Sequence, residues 1–478
     1  MTSVLGVQLL VIGLLMLTGV VWSWWYASGD AGALGASAGI TMAAGAGLYL
    51  FKREAQPIID KREGYIVVVF GWLLMVCFGM LPYLISGVIP TLTEAFFETM
   101  SGMTTTGASV IDDIEAVPKG ILYWRSLTQW IGGMGIIVLT VALFPLLGIG
   151  GIELFVAEAP GPTSDKIHPR IRETAKRLWF LYVGLTIIAA LLYWVEGMSF
   201  YDAVNHGLTT LATGGFSTKN ASAAYWNDAP LIQYTMIFFM AVAGTNYTVL
   251  YFLFKRRWKK AFAGEEFKTY LWLLGLLSVG VTAVVYRVGN ADLEQSFRES
   301  LFQIVSLITT TGFVSADYTG WTESLIVVFF VLMFIGACAG STSGGIKIIR
   351  HLVFFKNSAL EFKRLLHPRA IVPLKLNRQL VPSRVMIHIL VFLLIYLMLF
   401  VLGTVAVVVM GMDFLSATGA VATSLGNVGP GIGSVGPTDN FAAVPTNAKW
   451  LLSFLMLLGR LELFTILVLL TPYFWRDY

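Results

Sequence analysis

Charge is what this chain is short of. Only 13% of its 478 residues are charged, 28 acidic and 32 basic, against about 25% in soluble domains. So few charges cannot cover a water-facing surface, and 56% of the residues are hydrophobic. Together these proportions predict an all-α polytopic membrane protein, for which a globular count of about one domain per 150 residues does not apply. Cysteine is nearly missing as well. Cys77 and Cys338 both lie in apolar runs, which excludes a disulfide framework and a thiolate metal site. The five histidines, His168, His206, His351, His367 and His388, form no cluster. No HExxH, P-loop or GxSxG pattern appears. An intramembrane enzyme would need a catalytic dyad on facing spans. No nucleotide-binding segment, nucleic-acid partner or cofactor is expected in this chain.

What the sequence has is long apolar runs. They cover 4–27, 33–51, 64–88, 121–150, 178–195, 230–254, 269–287, 323–346, 385–411 and 449–474, each near the roughly 20 residues that cross a bilayer. The first is too long for a signal-peptide core and has no basic leader, so it is expected to be retained. Ten crossings follow. Aromatics, at 13%, suit interfacial belts. The basic residues alternate between loops. Lys52, Arg53, Lys61 and Arg62 precede the third run. Lys166, Arg170, Arg172, Lys176 and Arg177 precede the fifth. "KRRWKK" follows the sixth, and Lys356, Lys363, Arg364, Arg369, Lys375, Arg378 and Arg384 precede the ninth. The positive-inside rule makes these loops and both termini cytoplasmic. Topology signalling accounts for the basic runs, with contact to anionic lipid as the other reading.

The outward connections repeat one another. "TEAFFETMSGMTTTGAS", "YDAVNHGLTTLATGGFS", "ESLFQIVSLITTTGFVS" and "DFLSATGAVATSLGNVGPG" each run from an acid through a short segment to a polar, glycine-containing turn. Glu94 to Gly107, Asp202 to Gly215, Glu299 to Gly312 and Asp413 to Gly426 are all 13 residues apart. Four units of span, half-helix, turn and span are predicted around an approximate fourfold axis. The expected divisions are 1–62 for an N-terminal pair with its cytoplasmic loop, then 63–165, 166–264, 265–378 and 379–478 for the repeats. Each acid is expected to cap the start of its half-helix. The half-helix C-termini then aim their negative dipole ends inward, favouring a cation. Glycine lets successive carbonyls turn toward an axis, where a ring of them replaces a monovalent cation's hydration shell. A single such turn would read as small residues for helix packing; four in one register point to an ion pathway. An alternating-access transporter also uses broken helices, but its repeats are usually two or inverted.

"TTTGAS" (104–109), "TGGFST" (213–218), "TTTGFVS" (309–315), "GNVGPGIG" (426–433), "GACAGSTSGGIKIIR" (336–350) and "GRLELF" (459–464) resemble the TrkH/KtrB superfamily of potassium transport subunits. The resemblance covers almost the whole chain, and the two spans ahead of the repeats place it on the TrkH side. It implies a gated potassium pathway with filter positions at Thr105, Thr106 and Gly107; Thr213, Gly214 and Gly215; and Thr310, Thr311 and Gly312. In the fourth unit the spacing selects Gly426, whereas the family's pattern selects Asn427, Val428 and Gly429. We follow the pattern, because a half-helix absorbs three extra residues more readily than a turn changes its end. Only two units keep Thr-Thr-Gly, so the filter is expected to be asymmetric. The resemblance further implies a bacterial inner-membrane location, potassium as substrate, a homodimer, and a cytosolic TrkA-like nucleotide-binding partner. That partner's expected contact surface is the basic stretches 166–177, 255–260 and 347–378. Channel, proton- or sodium-coupled symporter and less selective potassium/sodium pathway stay open at this point.

Two features stand where membrane helices do not want them. Gly340, Ser341, Thr342, Ser343, Gly344 and Gly345 make a poor helix, at about 1 kcal/mol lost per glycine. The resemblance makes this stretch an intramembrane gate loop; a kinked packing helix is the alternative. Lys347 at its end either holds the closed loop or anchors the cytoplasmic end by snorkelling. Arg460 falls mid-span, a functional position by default. It is expected below the filter, repelling cations or pairing with a neighbour. A structural contact with Glu462 or a backbone carbonyl is the other reading.

Overall fold

The structure, a computed structural model, describes residues 2–50, 61–135, 171–289 and 291–476. It is helical apart from one small antiparallel hairpin, Lys375–Leu376 against Gln379–Leu380. Among the described residues, six helices are long and apolar enough to cross a membrane: Thr2–Tyr26, Ala31–Leu50, Arg62–Ser86, Lys176–Val195, Glu265–Val288 and Ser383–Val409. The expected fourth span, 121–150, lies within the described residues only as far as Gly135. Lys52, Arg53, Lys166 and Arg170 also lie outside them.

Besides the fourth, which is kinked at Gly133, three of the expected spans are not continuous helices. The sixth is broken into Pro230–Ala243 and Tyr247–Phe254, bent by 110°. The last is broken into Thr446–Arg460 and Phe464–Leu470, bent by 108°. Apolarity marks both runs as single spans, because hydropathy counts side chains and is blind to where backbone bonds go. In the sixth, the Asn246 side chain accepts from Thr248 N and starts a new helix in a new direction. In the last, Glu462 and Leu463 take positive φ. The eighth run is helical only over Glu323–Leu332, and helix resumes at Ile348.

Four half-helices stand between the spans: Leu92–Met103, Phe200–Leu211, Leu293–Ile308 and Phe414–Gly426. Their 12 to 16 residues make about 18–24 Å of helix, too short to cross a core of about 30 Å. The expected capping acids are only partly right. Asp413 is an N-cap, accepting from Ser416 N at 3.0 Å. Glu94 and Asp202 sit in the first turn, where Asp202 N donates to the capping Ser199. Glu299 lies inside its helix, which starts earlier and is capped by Asp292 through Gln295 N at 2.8 Å. The third half-helix is the longest, so counting back from its glycine lands mid-helix.

The N-terminal pair packs closely through small residues. A Cβ at Gly6 would meet Gly45 O at 2.7 Å, and one at Gly45 would meet Gly6 O at 2.8 Å, as small-residue membrane interfaces require. The turn between the two helices carries Asp30, which is buried. It accepts from Ser23 and Ser28 at 2.5 Å each and from Ile121 N at 2.6 Å. Asp30 thus satisfies an unpaired N–H at the start of Lys119–Trp130, the helix leaving the first turn. Asp30→Ala is expected to destabilise the detergent-solubilised protein by about 1–3 kcal/mol, through the orphaned N–H. A thermal midpoint equal to that of the parent protein would count against this role.

Candidate ion pathway

Each half-helix ends in the same way. The first residue of each turn has a left-handed φ: 54° at Thr105, 52° at Thr213, 53° at Thr310 and 51° at Asn427. The third is a left-handed glycine: φ is 86° at Gly107, 78° at Gly215, 79° at Gly312 and 102° at Gly429. The backbone bonds repeat as well. Thr106 N, Gly214 N, Thr311 N and Val428 N each donate to the carbonyl five residues back, at 2.8 to 3.0 Å. Gly426, the position selected by spacing, is the last residue of its helix and is not equivalent to the other three glycines.

The four turns meet in a closed cycle. A Cβ at Gly107 would fall 2.4 Å from Gly214 O, and one at Gly215 2.1 Å from Thr311 O. At Gly312 it would fall 2.2 Å from Val428 O, and at Gly429 2.8 Å from Thr106 O. Each closing glycine therefore lies against the middle carbonyl of the next turn, and the fourth returns to the first. These positions admit no side chain, both for space and for φ. Outside the ring the units are tied in the same order. Asn220 Nδ2 donates to Asp113, Ala224 N to Val314 O, Tyr318 OH to Gly431 O, and Phe441 N to Ser109 O, at 2.7 to 2.9 Å. Asp317, expected near the mouth, caps the short turn Tyr318–Gly320 through Thr319 N.

The stretch from Gly336 to Lys347 packs on the deep side of this ring. Gly344 N donates to Thr310 Oγ1 at 2.6 Å, and Thr342 Oγ1 donates to Leu211 O and Ala243 O at 3.1 and 3.3 Å. A Cβ at Gly344 would lie 2.7 Å from the Asn427 side chain. Gly340 O accepts from Tyr247 N at 3.1 Å, and Ser341 and Ser343 share a hydroxyl bond of 2.8 Å. Gly345 takes φ of 65°, packed against Gly336. Lys347 is buried and donates to Ser343 O, to Ser343 Oγ at 3.1 Å and to Gly344 O at 3.3 Å. It binds the loop rather than reaching to the membrane surface.

Arg460 binds backbone carbonyls. It donates to Thr342 O at 2.9 Å, to Gly133 O at 2.8 Å and to Gly132 O. Glu462 pairs with Arg350 instead. Arg460 thus fastens the loop of the third unit to the first unit, where Gly132 lies against Met103 O. The return helices break near the same place in every unit: around Gly133, whose ψ is −112°, at Gly244–Asn246, after Leu332 and after Arg460. Such breaks free carbonyls that the loop and Arg460 use.

Several supporting residues were missed in the sequence. Arg125 and Glu98 form a buried pair at 2.7 Å. Glu98 accepts from Ser109 and Val110 N, and Arg125 donates to Ser217 O at 3.2 Å. The pair fixes the exits of the first two turns. His206 is structural, with its ring nitrogens on Asp202 O and Ser217 Oγ at 2.8 and 3.0 Å. Gln129 bonds to the second turn. The partners of Arg125 and Gln129 stand 27 to 92 residues away in sequence, so spacing could not have joined them. The intramembrane charges Glu98 and Arg125 were the one clue available.

Comparison with known proteins agrees over most of the chain. A family model described as TrkH, cation transport protein, matches residues 36–475. The Trk system potassium uptake protein TrkH of Salmonella typhimurium is 40% identical over 446 residues, covering 92% of this chain and 91% of that protein. The TrkG protein of the Trk potassium uptake system in Escherichia coli is 36% identical over 436 residues, 91% of this chain and 89% of that one. The crystal structure of the potassium transporter TrkH from Vibrio parahaemolyticus superposes with a TM-score of 0.89 at 37% identity, over 99% of both chains. The chain is a multi-pass membrane transporter and belongs to the TrkH family of cation transport proteins.

Proposed function

We propose that this protein takes up potassium through a gated, channel-like pathway whose filter is the ring of four turns. The observation that carries the reading is the closed cycle of glycines against neighbouring carbonyls. Four equivalent left-handed turns hold their carbonyls at one level, at the negative ends of four helix dipoles. Backbone oxygens so arranged substitute for a cation's hydration shell. The relatives' described potassium uptake supplies the ion. In this reading Thr105–Gly107, Thr213–Gly215, Thr310–Gly312 and Asn427–Gly429 are the filter segments.

The gate in this reading is the loop Gly340–Gly345, held by Lys347 and Arg460. The loop fills the deep side of the ring, and Arg460 locks it to the first unit, so the described conformation is closed. Opening requires Arg460 to release Thr342 O or the Gly132 and Gly133 carbonyls. A cytosolic TrkA-like nucleotide-binding subunit would act through the basic surface, of which 171–177, 255–260 and 347–378 are described. A homodimer in a bacterial inner membrane with cytoplasmic termini completes the proposal. The Asn427–Val428 pair leaves a less selective potassium/sodium pathway as the second reading, since its quarter lacks the Thr-Thr hydroxyl pattern.

Gly312→Ser is expected to lower potassium-over-sodium discrimination roughly tenfold, the scale of about 1–3 kcal/mol of backbone strain. Rubidium flux into liposomes with competing sodium measures it; a parental ratio would remove Gly312 from the filter. Arg460→Ala, or deletion of Ser341–Gly345, is expected to raise basal flux roughly tenfold or more. One charge-assisted hydrogen bond, worth about 1.5–3 kcal/mol, moves a closed-to-open equilibrium that far. Unchanged flux in both variants would refute the gate. Flux that persists without a proton or sodium gradient is the expected channel behaviour, and its collapse would favour symport.

A further inference from the structure

We propose that Gln129 is a specificity-determining residue of the transport path. Its side-chain amide replaces the threonine side chain that the second turn lacks, and fixes the direction of the Gly214 carbonyl. The proposal rests on reading the four turns as a cation filter.

The middle position of the turn is Thr106 in the first unit, Thr311 in the third and Gly214 in the second. None of the three has a positive φ, so the backbone does not require glycine at 214. Space does. A Cβ on Gly214 would fall 2.3 Å from both Cδ and Oε1 of Gln129. In the first and third turns the middle threonine bonds a second threonine just before the turn. Thr104 and Thr106 hydroxyls are 2.8 Å apart, and Thr309 and Thr311 hydroxyls 2.7 Å. The second unit has Ala212 and Gly214 at these positions and can make no such pair.

Gln129 fills that place from the neighbouring unit. It is fully buried, and both ends of its amide are used. Nε2 donates to Gly214 O, and Oε1 accepts from Phe216 N at 3.0 Å. The two bonds straddle Gly215, the closing glycine. One helical turn earlier, Arg125 donates to Ser217 O at 3.2 Å and covers the Phe216 ring at 3.5 Å. The helix therefore grips the exit of the second turn independently of Gln129, and Gln129 adds the contact to the ring carbonyl itself. A carbonyl oxygen has two lone pairs. Here one is engaged by the amide and the other is left for an ion. Selectivity depends on the number and field strength of such oxygens, so a donor on one of them tunes discrimination as well as shape.

The test is rubidium flux in liposomes with competing sodium, on the full chain. Gln129→Met keeps the volume and loses both bonds; Gln129→Ala empties the space. Each is expected to lower potassium-over-sodium discrimination roughly threefold or more while total cation flux persists. Gly214→Thr alone is expected to lower it too, through collision with Gln129. The double variant, Gln129→Ala with Gly214→Thr, is expected to recover to within roughly twofold of the parent, as threonine fills the vacated space. Parental discrimination in Gln129→Met and Gln129→Ala, or a double variant no better than its singles, would overturn the proposal. Gly312→Ser runs alongside. If it lowers discrimination and the Gln129 variants do not, the role of Gln129 alone fails. If it too is parental, the filter reading fails.

Discussion

The structure depends on one contact repeated four times: a left-handed glycine with no side chain pressed against the carbonyl of the next turn. Gly107, Gly215, Gly312 and Gly429 each come so close to a neighbouring backbone oxygen that a methyl group would not fit. The cycle closes only if all four half-helices end at one depth and in one conformation. That requirement sets the first residue of every turn in the left-handed region as well, although three are threonines and one is asparagine. Threonine is a poor occupant of that region. Its cost is borne because the backbone N–H that follows is captured by a carbonyl five residues back.

The surroundings of the ring differ from quarter to quarter while the ring does not. Hydroxyl pairs back the first and third turns. Gln129 backs the second. In the fourth, Asn427 reaches sideways, donating to Thr106 Oγ1 at 3.0 Å and to Met456 O at 2.9 Å. Divergence of the four units has thus been absorbed in side chains behind the turns. The same holds on the deep side. All four return helices break, but by different means: a kink at Gly133, a bend with a new cap at Asn246, a long irregular stretch after Leu332, and two positive-φ residues after Arg460. The freed carbonyls give the loop and Arg460 something to hold.

Much of this was legible from residues alone. Low charge and apolar runs fixed the class, and the repeated acid-to-glycine motif located four turns and their half-helices. The motif also misled in two places. Counting 13 residues pointed to Gly426, which ends a helix, and placed Glu299 at a helix start when it lies inside one. Half-helix length varies from unit to unit, so spacing measured from one end cannot fix the other. Arg460 and Lys347 were visible as misplaced charges, but their partners were not. Glu462 stands two residues from Arg460 in sequence and bonds Arg350, because the helix ends at Arg460 and the chain bends by 108° before Phe464.

The sequence by itself determined the membrane class, the fourfold repeat and the residues of the first three turns, because hydropathy and φ preference are local properties. Tertiary structure decided which glycine completes the fourth turn, where the return helices break, and what holds the loop against the ring. Those outcomes depend on carbonyls, and a carbonyl looks the same in every residue until the fold aims it.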